Sequence, residues 1–259
     1  TALLIGIPYV WLVVWFLLPF LIVVAMSVAT NTPTAPPFSF GGEHPWINWE
    51  PYSRVMTDSL YIRAFLTSVV NAAFAAFLCL LIGFPMALGL TWVTKSWRNI
   101  LLMLVILPFW TSFLLRVYAW IGFLRRDGVI NNILSWLGVI DEPLVMMQTD
   151  FAVYIGIVYT YLPFMILPLY ATLVKLDDSL LEAAGDLGAS PTVTFLTVTL
   201  PLSLPGIVAG SMLVFIPAIG EYVIPALLGG PDTLMIGKVL FEEYICLFWG
   251  RIKNQTLGI

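Results

Sequence analysis

The chain reads as long apolar runs joined by short polar connections. A helix needs about 20 mainly apolar residues to cross the hydrocarbon core of a bilayer. Five stretches reach that length: residues 3–28, 64–93, 100–124, 151–174 and 202–228. Most contain prolines: Pro8 and Pro19, Pro85, Pro108, Pro163 and Pro168, and Pro205 and Pro217. A proline inside a helix frees a carbonyl and kinks the axis, so these spans are expected to pack around one another, where neighbours satisfy the freed groups. The pattern predicts an all-α integral membrane protein with five transmembrane helices. Residues 1–28 are too long for a signal-peptide core and count as the first span, although the chain opens without Met and a short upstream stretch is expected to be missing from it.

The connections differ in character. Residues 31–63 form a polar, Pro-rich loop and residues 95–99 a five-residue turn. Residues 125–150 hold a short amphipathic helix in "DGVINNILSWLGV", with Ile130, Ile133, Leu134 and Leu137 on one face and Asn131, Asn132 and Ser135 elsewhere. Such a helix lies along the membrane surface or caps the mouth of the bundle. Residues 175–201, "KLDDSLLEAAGDLGASPTVTFLTVTLP", are too acidic and too rich in small residues to sit in lipid. Ser179 to Glu182 fits a capping box, which would start a helix there. Leu180, Ala184 and Leu187 then share one face, and Gly188 suits the left-handed position that ends a helix. Ser190-Pro191 supplies an N-cap and a first-turn proline for a second helix. The product is a bent two-helix knob, too small for a core of its own and suited to filling a groove on another protein.

Composition supports the membrane reading and removes several functions. With 60% hydrophobic and 10% charged residues and a mean hydropathy of +0.98, the chain lies far outside the soluble norm. A net charge of -4, with no basic cluster beyond Arg125-Arg126, argues against nucleic acid as a partner. Cys79 and Cys246 offer neither metal spacing nor a disulfide framework, and His44 reads as a surface residue of a Pro/Gly-rich loop. No Gly-x-x-x-x-Gly-Lys-Ser/Thr occurs, so an ATP site must lie on another chain. No nucleophile with its base and no zinc pattern stands out. No catalytic residue, metal or cofactor is therefore expected, and the protein is not expected to be an enzyme.

The knob carries a family resemblance. Glu182-Ala183-Ala184, Gly188, Val198 and Leu200-Pro201 fit the EAA loop of ABC importer permeases, with Val198 where Ile is usual. The segments "LVILPFWTSFLLRVYAW", "AVYIGIVYTYLPFMILPLY" and "AGSMLVFIPAIGEYVIPALLGGPDTLMIGKVL" resemble the polyamine (putrescine/spermidine) branch of that family, over residues 64 to about 244. The resemblance implies a multi-pass subunit of the bacterial inner membrane whose 175–201 loop is a cytoplasmic coupling helix, with Glu182, Ala183, Ala184, Gly188, Leu200 and Pro201 as the coupling residues. It implies as partners a cytoplasmic ABC ATPase in two copies, a second related permease and an extracytoplasmic polyamine-binding protein. A permease for another solute, such as an anion or an iron complex, is the near alternative, and a secondary transporter or channel subunit the more distant one.

Orientation is contested by the charges. With residues 31–63 outside, Arg54, Arg63, Arg125, Arg126, Lys238, Arg251 and Lys253 lie outside and only Lys95, Arg98 and Lys175 inside, against the positive-inside rule. The docking loop overrides that count, because an ATP-fuelled partner must be cytoplasmic.

Ionisable residues within spans are functional candidates by default. Here they are Arg116, on one helical face with Phe109, Phe113 and Trp120, and Glu221, on one face with Gly210, Val214 and Pro217. Two readings stand: the two residues pair, or snorkel, for structural reasons, or Glu221 faces the pathway and attracts a protonated amine. In the second case Trp110, Trp120, Tyr159 or Tyr161 offer cation-π surfaces, unless they form an interfacial belt. The family has a sixth span, whereas residues 245–259, "ICLFWGRIKNQTLGI", reach Arg251 after six residues. Six residues make about 9 Å of helix against a core of roughly 30 Å. The domain division expected is a permease domain over residues 1–244 and an atypical tail, with the chain a truncated or frame-shifted form of a six-span subunit.

Overall fold

The fold was taken from a computed structural model that describes residues 2–31, 38–40, 47–231 and 233–257; side chains are described for 6–30, 39–40, 47–231 and 233–246. His44 lies outside the described residues. The chain divides into two compact units, Thr1–Ile62 with Ile245–Ile259, and Arg63–Tyr244.

In the first unit, α1 (Ala2–Ser27) is followed by two short antiparallel strands, β1 (Thr30–Asn31) and β2 (Phe38–Ser39), paired Thr30 to Ser39, and by α2 (Glu50–Thr57). The Ser27 and Tyr52 hydroxyls lie 2.6 Å apart, and the Asn48 N–H donates to the Val28 carbonyl, fastening the end of α1 to the segment that leads into α2. Side chains of α1 are exposed from Ile7 to Met26 although nearly all are apolar. Such a helix is compatible with lipid or with a protein partner, and not with water.

The second unit is a bundle. Its elements are α3 (Ser59–Trp92, which begins in the first unit), α4 (Lys95–Ile106) with a 3₁₀ turn (Leu107–Trp110), α5 (Phe113–Leu124), α6 (Val129–Trp136) and α7 (Asp150–Leu173). After these come α8 (Asp178–Asp186), α9 (Pro191–Thr194), a π-helical turn (Phe195–Thr199), α10 (Leu200–Leu202), α11 (Leu204–Ile219) and α12 (Val223–Leu228). The last helix, α13 (Ile236–Leu257), runs on beyond the unit. The central helix is α7, which buries Ile157, Met165, Ile166 and Leu169. It packs closely on α11, where a Cβ on Gly206 would lie 2.6 Å from Thr172 Oγ1 and 2.9 Å from the Pro168 carbonyl. Only a missing side chain lets the two backbones approach this closely, a common device where lipid gives helices no hydrophobic reason to associate.

Among the described residues, three helices are long and apolar enough to cross a membrane, Gly6–Ser27, Ser59–Trp92 and Asp150–Leu173, and two bent pairs bring the number to five if each is one span. The bends are the departures from expectation. The third expected span, 100–124, breaks at Thr111-Ser112, where Lys95–Trp110 meets Phe113–Trp136 at 94°. The fifth, 202–228, has a 64° knee between Pro191–Leu202 and Leu204–Ile219, and a second interruption at Gly220 to Tyr222. Residues 95–99 are the start of α4 and not a turn; Thr94 is its N-cap, and Arg98 bonds the Leu90, Thr91 and Val93 carbonyls at 3.1, 2.7 and 3.1 Å, so the corner needs only two residues. Residues 245–257 continue α13 as helix.

The amphipathic reading of α6 holds for Ile130 and Leu134, which are half-buried, and fails for Asn131, Ile133 and Leu137. Asn131 is 1% exposed, donating to the Arg125 and Leu144 carbonyls and accepting from the Leu144 N–H, while Ile133 and Leu137 point outward. The backbone of Leu144 needs both a donor and an acceptor, which an amide supplies and an apolar face cannot.

Candidate functional site

The knob is built almost wholly from local chemistry. Helix α8 begins two residues before the expected capping box, because Asp177 Oδ1 accepts the Ser179 N–H at 3.0 Å and so occupies the N-cap. An anionic acceptor suits the positive end of a helix better than the Ser179 hydroxyl does. The same hydrogen bond holds the Asp177 carboxyl below the usual aspartate range. The helix ends as Gly188 adopts φ +80°; its N–H donates to Gly185 at 2.8 Å and that of Ala189 to Ala184 at 3.0 Å, the paired bonds of a Schellman motif. Ser190 Oγ then accepts the Val193 N–H at 3.4 Å with Pro191 next in line, which starts the second helix.

No residue of α8 is buried, and Leu187, at the turn, is 89% exposed. Glu182, Ala183 and Ala184 thus lie on a helix that touches the second helix of the knob and the π turn but adds no buried residue to the core. What anchors the knob is its root. Phe195 meets Phe84 of α3 edge to face at 5.5 Å, Thr199 and Ser203 are buried, and Leu200-Pro201 lead into the knee before α11. A cleft of about 840 Å³ separates the knob from the α3–α4 corner, with Thr91, Trp92 and Arg98 on one side and Asp178, Leu181 and Gly185 on the other.

The second candidate lies inside the bundle. Glu221 is 8% exposed at the interruption between α11 and α12. Its Oε2 accepts the Tyr161 hydroxyl at 2.7 Å, and its Oε1 accepts the N–H groups of Val223 and Ile224 at 3.0 and 3.4 Å. The carboxylate therefore caps the first turn of α12, and both oxygens are already engaged. Arg116 and Glu221 form no ion pair. A line of rings runs between them instead: the Arg116 guanidinium carbon is 5.5 Å from the Phe109 centroid, Phe109 is 4.9 Å from Phe164, and Phe164 is 6.1 Å from Tyr161, the residue that holds Glu221. Trp120 and Tyr159 pair with each other at 5.5 Å, and Trp110, 75% exposed, stands apart on the 3₁₀ turn.

Sequence reasoning missed a polar set. Buried Ser68 Oγ accepts the Ile236 N–H at 2.7 Å and so caps α13, Asn71 accepts the Tyr154 hydroxyl at 2.7 Å, and Thr233 donates to Asp150. Ser68 and Asn71 interrupt an apolar span, and that interruption is the signal that could have found them.

Apolar helices long enough to cross a membrane, a close-packed α7–α11 pair and an exposed helical knob fit the permease class of membrane transport subunits, and the relatives of the chain belong to that class. The chain is 42% identical over 252 residues to the spermidine/putrescine transport system permease protein PotB of Escherichia coli (strain K12), covering 96% of this chain and 89% of that one. It is 40% identical over 241 residues to PotB of Haemophilus influenzae, covering 93% and 82%. This chain belongs to the PotB family of ABC transporter permeases. The similarity extends past the segment 64–244 whose motifs carry the resemblance. In fold it matches a chain of the bacterial alginate ABC transporter solved in complex with an alginate pentasaccharide-bound periplasmic protein, with a TM-score of 0.62, 19% identity, and coverage of 97% of this chain and 88% of that one. No protein-family model matches the chain.

Proposed function

We propose that this chain is a membrane-spanning subunit of an ATP-driven importer that moves polyamines, spermidine or putrescine, inward across the bacterial inner membrane. The observation that carries the reading is the likeness to PotB along 96% of the chain, with the knob present. ATP is hydrolysed on a separate cytoplasmic ATPase, in two copies. Glu182, Ala183, Ala184 and Gly188 dock there, and Leu200-Pro201 pass the motion through the knee at Ser203 into α11. A second, related permease completes the membrane part, and an extracytoplasmic binding protein delivers the substrate.

Within the bundle, Glu221 supplies the negative charge that a protonated amine seeks, with Tyr161 orienting its carboxylate and the Trp120–Tyr159 pair offering ring faces to the cation. The test is uptake of labelled putrescine and spermidine by cells that lack their own uptake and express this chain with its partners. Accumulation that needs both this chain and the ATPase is the expected result; accumulation of neither amine would refute the substrate assignment.

A further inference from the structure

Among the described residues, Arg116 is a charge held inside the bundle with no hydrogen-bond or ion-pair partner for its Nε and Nη1. It is 9% exposed, and no carboxylate among those residues comes within ion-pair distance. Its guanidinium carbon lies 5.5 Å from the ring of Phe109, which precedes α5, and 5.8 Å from that of Phe113, the first residue of α5. Side chains on a helix lean toward its N-terminus, and these two contacts place the guanidinium back over the first turn. That turn also lacks partners. Ser112 makes no side-chain cap, and the N–H groups of Phe113, Leu114 and Leu115 take no backbone acceptor from outside the helix. With 12 residues, α5 carries a full dipole whose positive end coincides with the unpaired guanidinium.

Acyl chains can satisfy neither feature. Irregular backbone at membrane depth persists only where protein covers it or where it lines water. Thr111 and Ser112 are exposed, and their surroundings, Trp110, Leu114 and Leu115, are exposed and apolar, which suits the dry centre of a protein interface and not a wet channel. The exposed apolar helix α1 contains no Asp or Glu that could serve as the counter-charge.

We infer that this site receives a carboxylate side chain of the second permease subunit, which pairs with Arg116 and accepts from the free N–H groups of α5. The inference rests on the reading of the chain as one of two permeases in an assembly. The test uses the complete complex, purified in mild detergent through a tag on this chain. Losing one partner of a buried charge pair should lower the co-purified second permease by about thirtyfold or more in Arg116→Asp, and nearly as much in Arg116→Gln, while Arg116→Lys retains part. As a check that does not depend on a folded variant, a photo-crosslinking residue at Leu115, with Arg116 intact, should attach to the second permease. A wild-type amount of that subunit in Arg116→Asp, or crosslinks to lipid alone or to nothing, would overturn the inference. If the second permease is absent even from the wild-type preparation, the two-permease assembly itself fails, and the inference with it.

Discussion

Gly188 offers the sharpest test of the knob, because the structure isolates a single physical effect there. Its φ is +80°, and nothing lies within 4 Å of the place where a Cβ would stand. A side chain would therefore meet no crowding, and only the backbone conformation would object. Placing an L-residue in the left-handed region costs about 1–2 kcal/mol, and a β-branched one sits at the upper end. That is a factor of about 5–30 in the population of the corner. No burial of α8 offsets the cost, so the corner should open, breaking the bonds from Gly188 to Gly185 and from Ala189 to Ala184 and swinging α8 away from its docked direction.

Insertion of the spans does not depend on this corner. Gly188→Val should therefore reach the membrane at normal levels while spermidine uptake and substrate-stimulated ATP hydrolysis fall about 5–30-fold, in step with the population. The series should be graded, with Gly188→Asn close to wild type, Gly188→Ala intermediate and Gly188→Val worst, because Asn tolerates the left-handed region and a β-branched residue does not. The assay is the complex reconstituted in vesicles, with uptake and hydrolysis read on the same preparation. Wild-type coupling in Gly188→Val, or an Asn variant as poor as the Val one, would refute the reasoning.

Two other substitutions probe the bundle. Glu221→Gln keeps an acceptor for the Val223 and Ile224 N–H groups but loses the charge, so assembly should survive while amine uptake falls by about ten- to a hundredfold, the worth of a charged hydrogen bond; Glu221→Asp should retain part of it, and wild-type uptake by the Gln variant would remove Glu221 from the pathway. Gly206→Val should lower the melting temperature of the purified chain through an overpacking cost of about 1–3 kcal/mol, because the Pro168 carbonyl cannot move aside, whereas Gly89→Ala, where a Cβ meets nothing within 4 Å, should leave it unchanged or raised.

What the sequence revealed and what it hid divide by range. The ends of the knob helices were legible because Gly188, Ser190 and Pro191 act on partners within a few residues of themselves. The start of α8 was misplaced because Asp177 and Ser179 are both good caps, and only the folded turn selects between them. Hydrophobic periodicity put Asn131 off the apolar face of α6, but the backbone of Leu144, thirteen residues away, draws its amide into the interior. The cap that Glu221 makes on α12 is local, two and three residues ahead, but the hydrogen bond to its other oxygen comes from Tyr161, sixty residues away, and no local pattern announces that one. The break at Thr111-Ser112 has Pro108 as its only visible cause, and a proline indicates a possible bend without its size.

The interruptions themselves suggest how motion at the knob could reach the interior. The root of the knob is a π-helical turn, Phe195–Thr199, whose surplus residue per turn is a weak point in a helix and often marks a functional site. Immediately beyond it the chain bends by 64° at Ser203, where the buried Oγ donates to the Leu200 carbonyl and keeps the corner hydrogen-bonded while the axis turns. From Gly206 onward α11 is packed against α7 at backbone distance, too closely to slide without collision. A displacement of α8 and α9 therefore has two places to go: it is absorbed in the π turn, or it rotates α11 and α7 together as one body about the knee. The edge-on contact of Phe195 with Phe84 decides between them, because it braces the first residue of the π turn against α3 and stiffens the element that would otherwise yield. A rotation about the knee would then reach the far end of α11, where Gly220 to Tyr222 interrupt the helix and Tyr161 of α7 holds Glu221. Because the donor, Tyr161, sits on α7 and the acceptor, Glu221, follows α11 by two residues, joint rotation of the two helices would preserve the hydrogen bond to the buried carboxylate while its surroundings shift. Under the proposed coupling, such a rotation would change access around a fixed charge and leave the charge's own ligation intact.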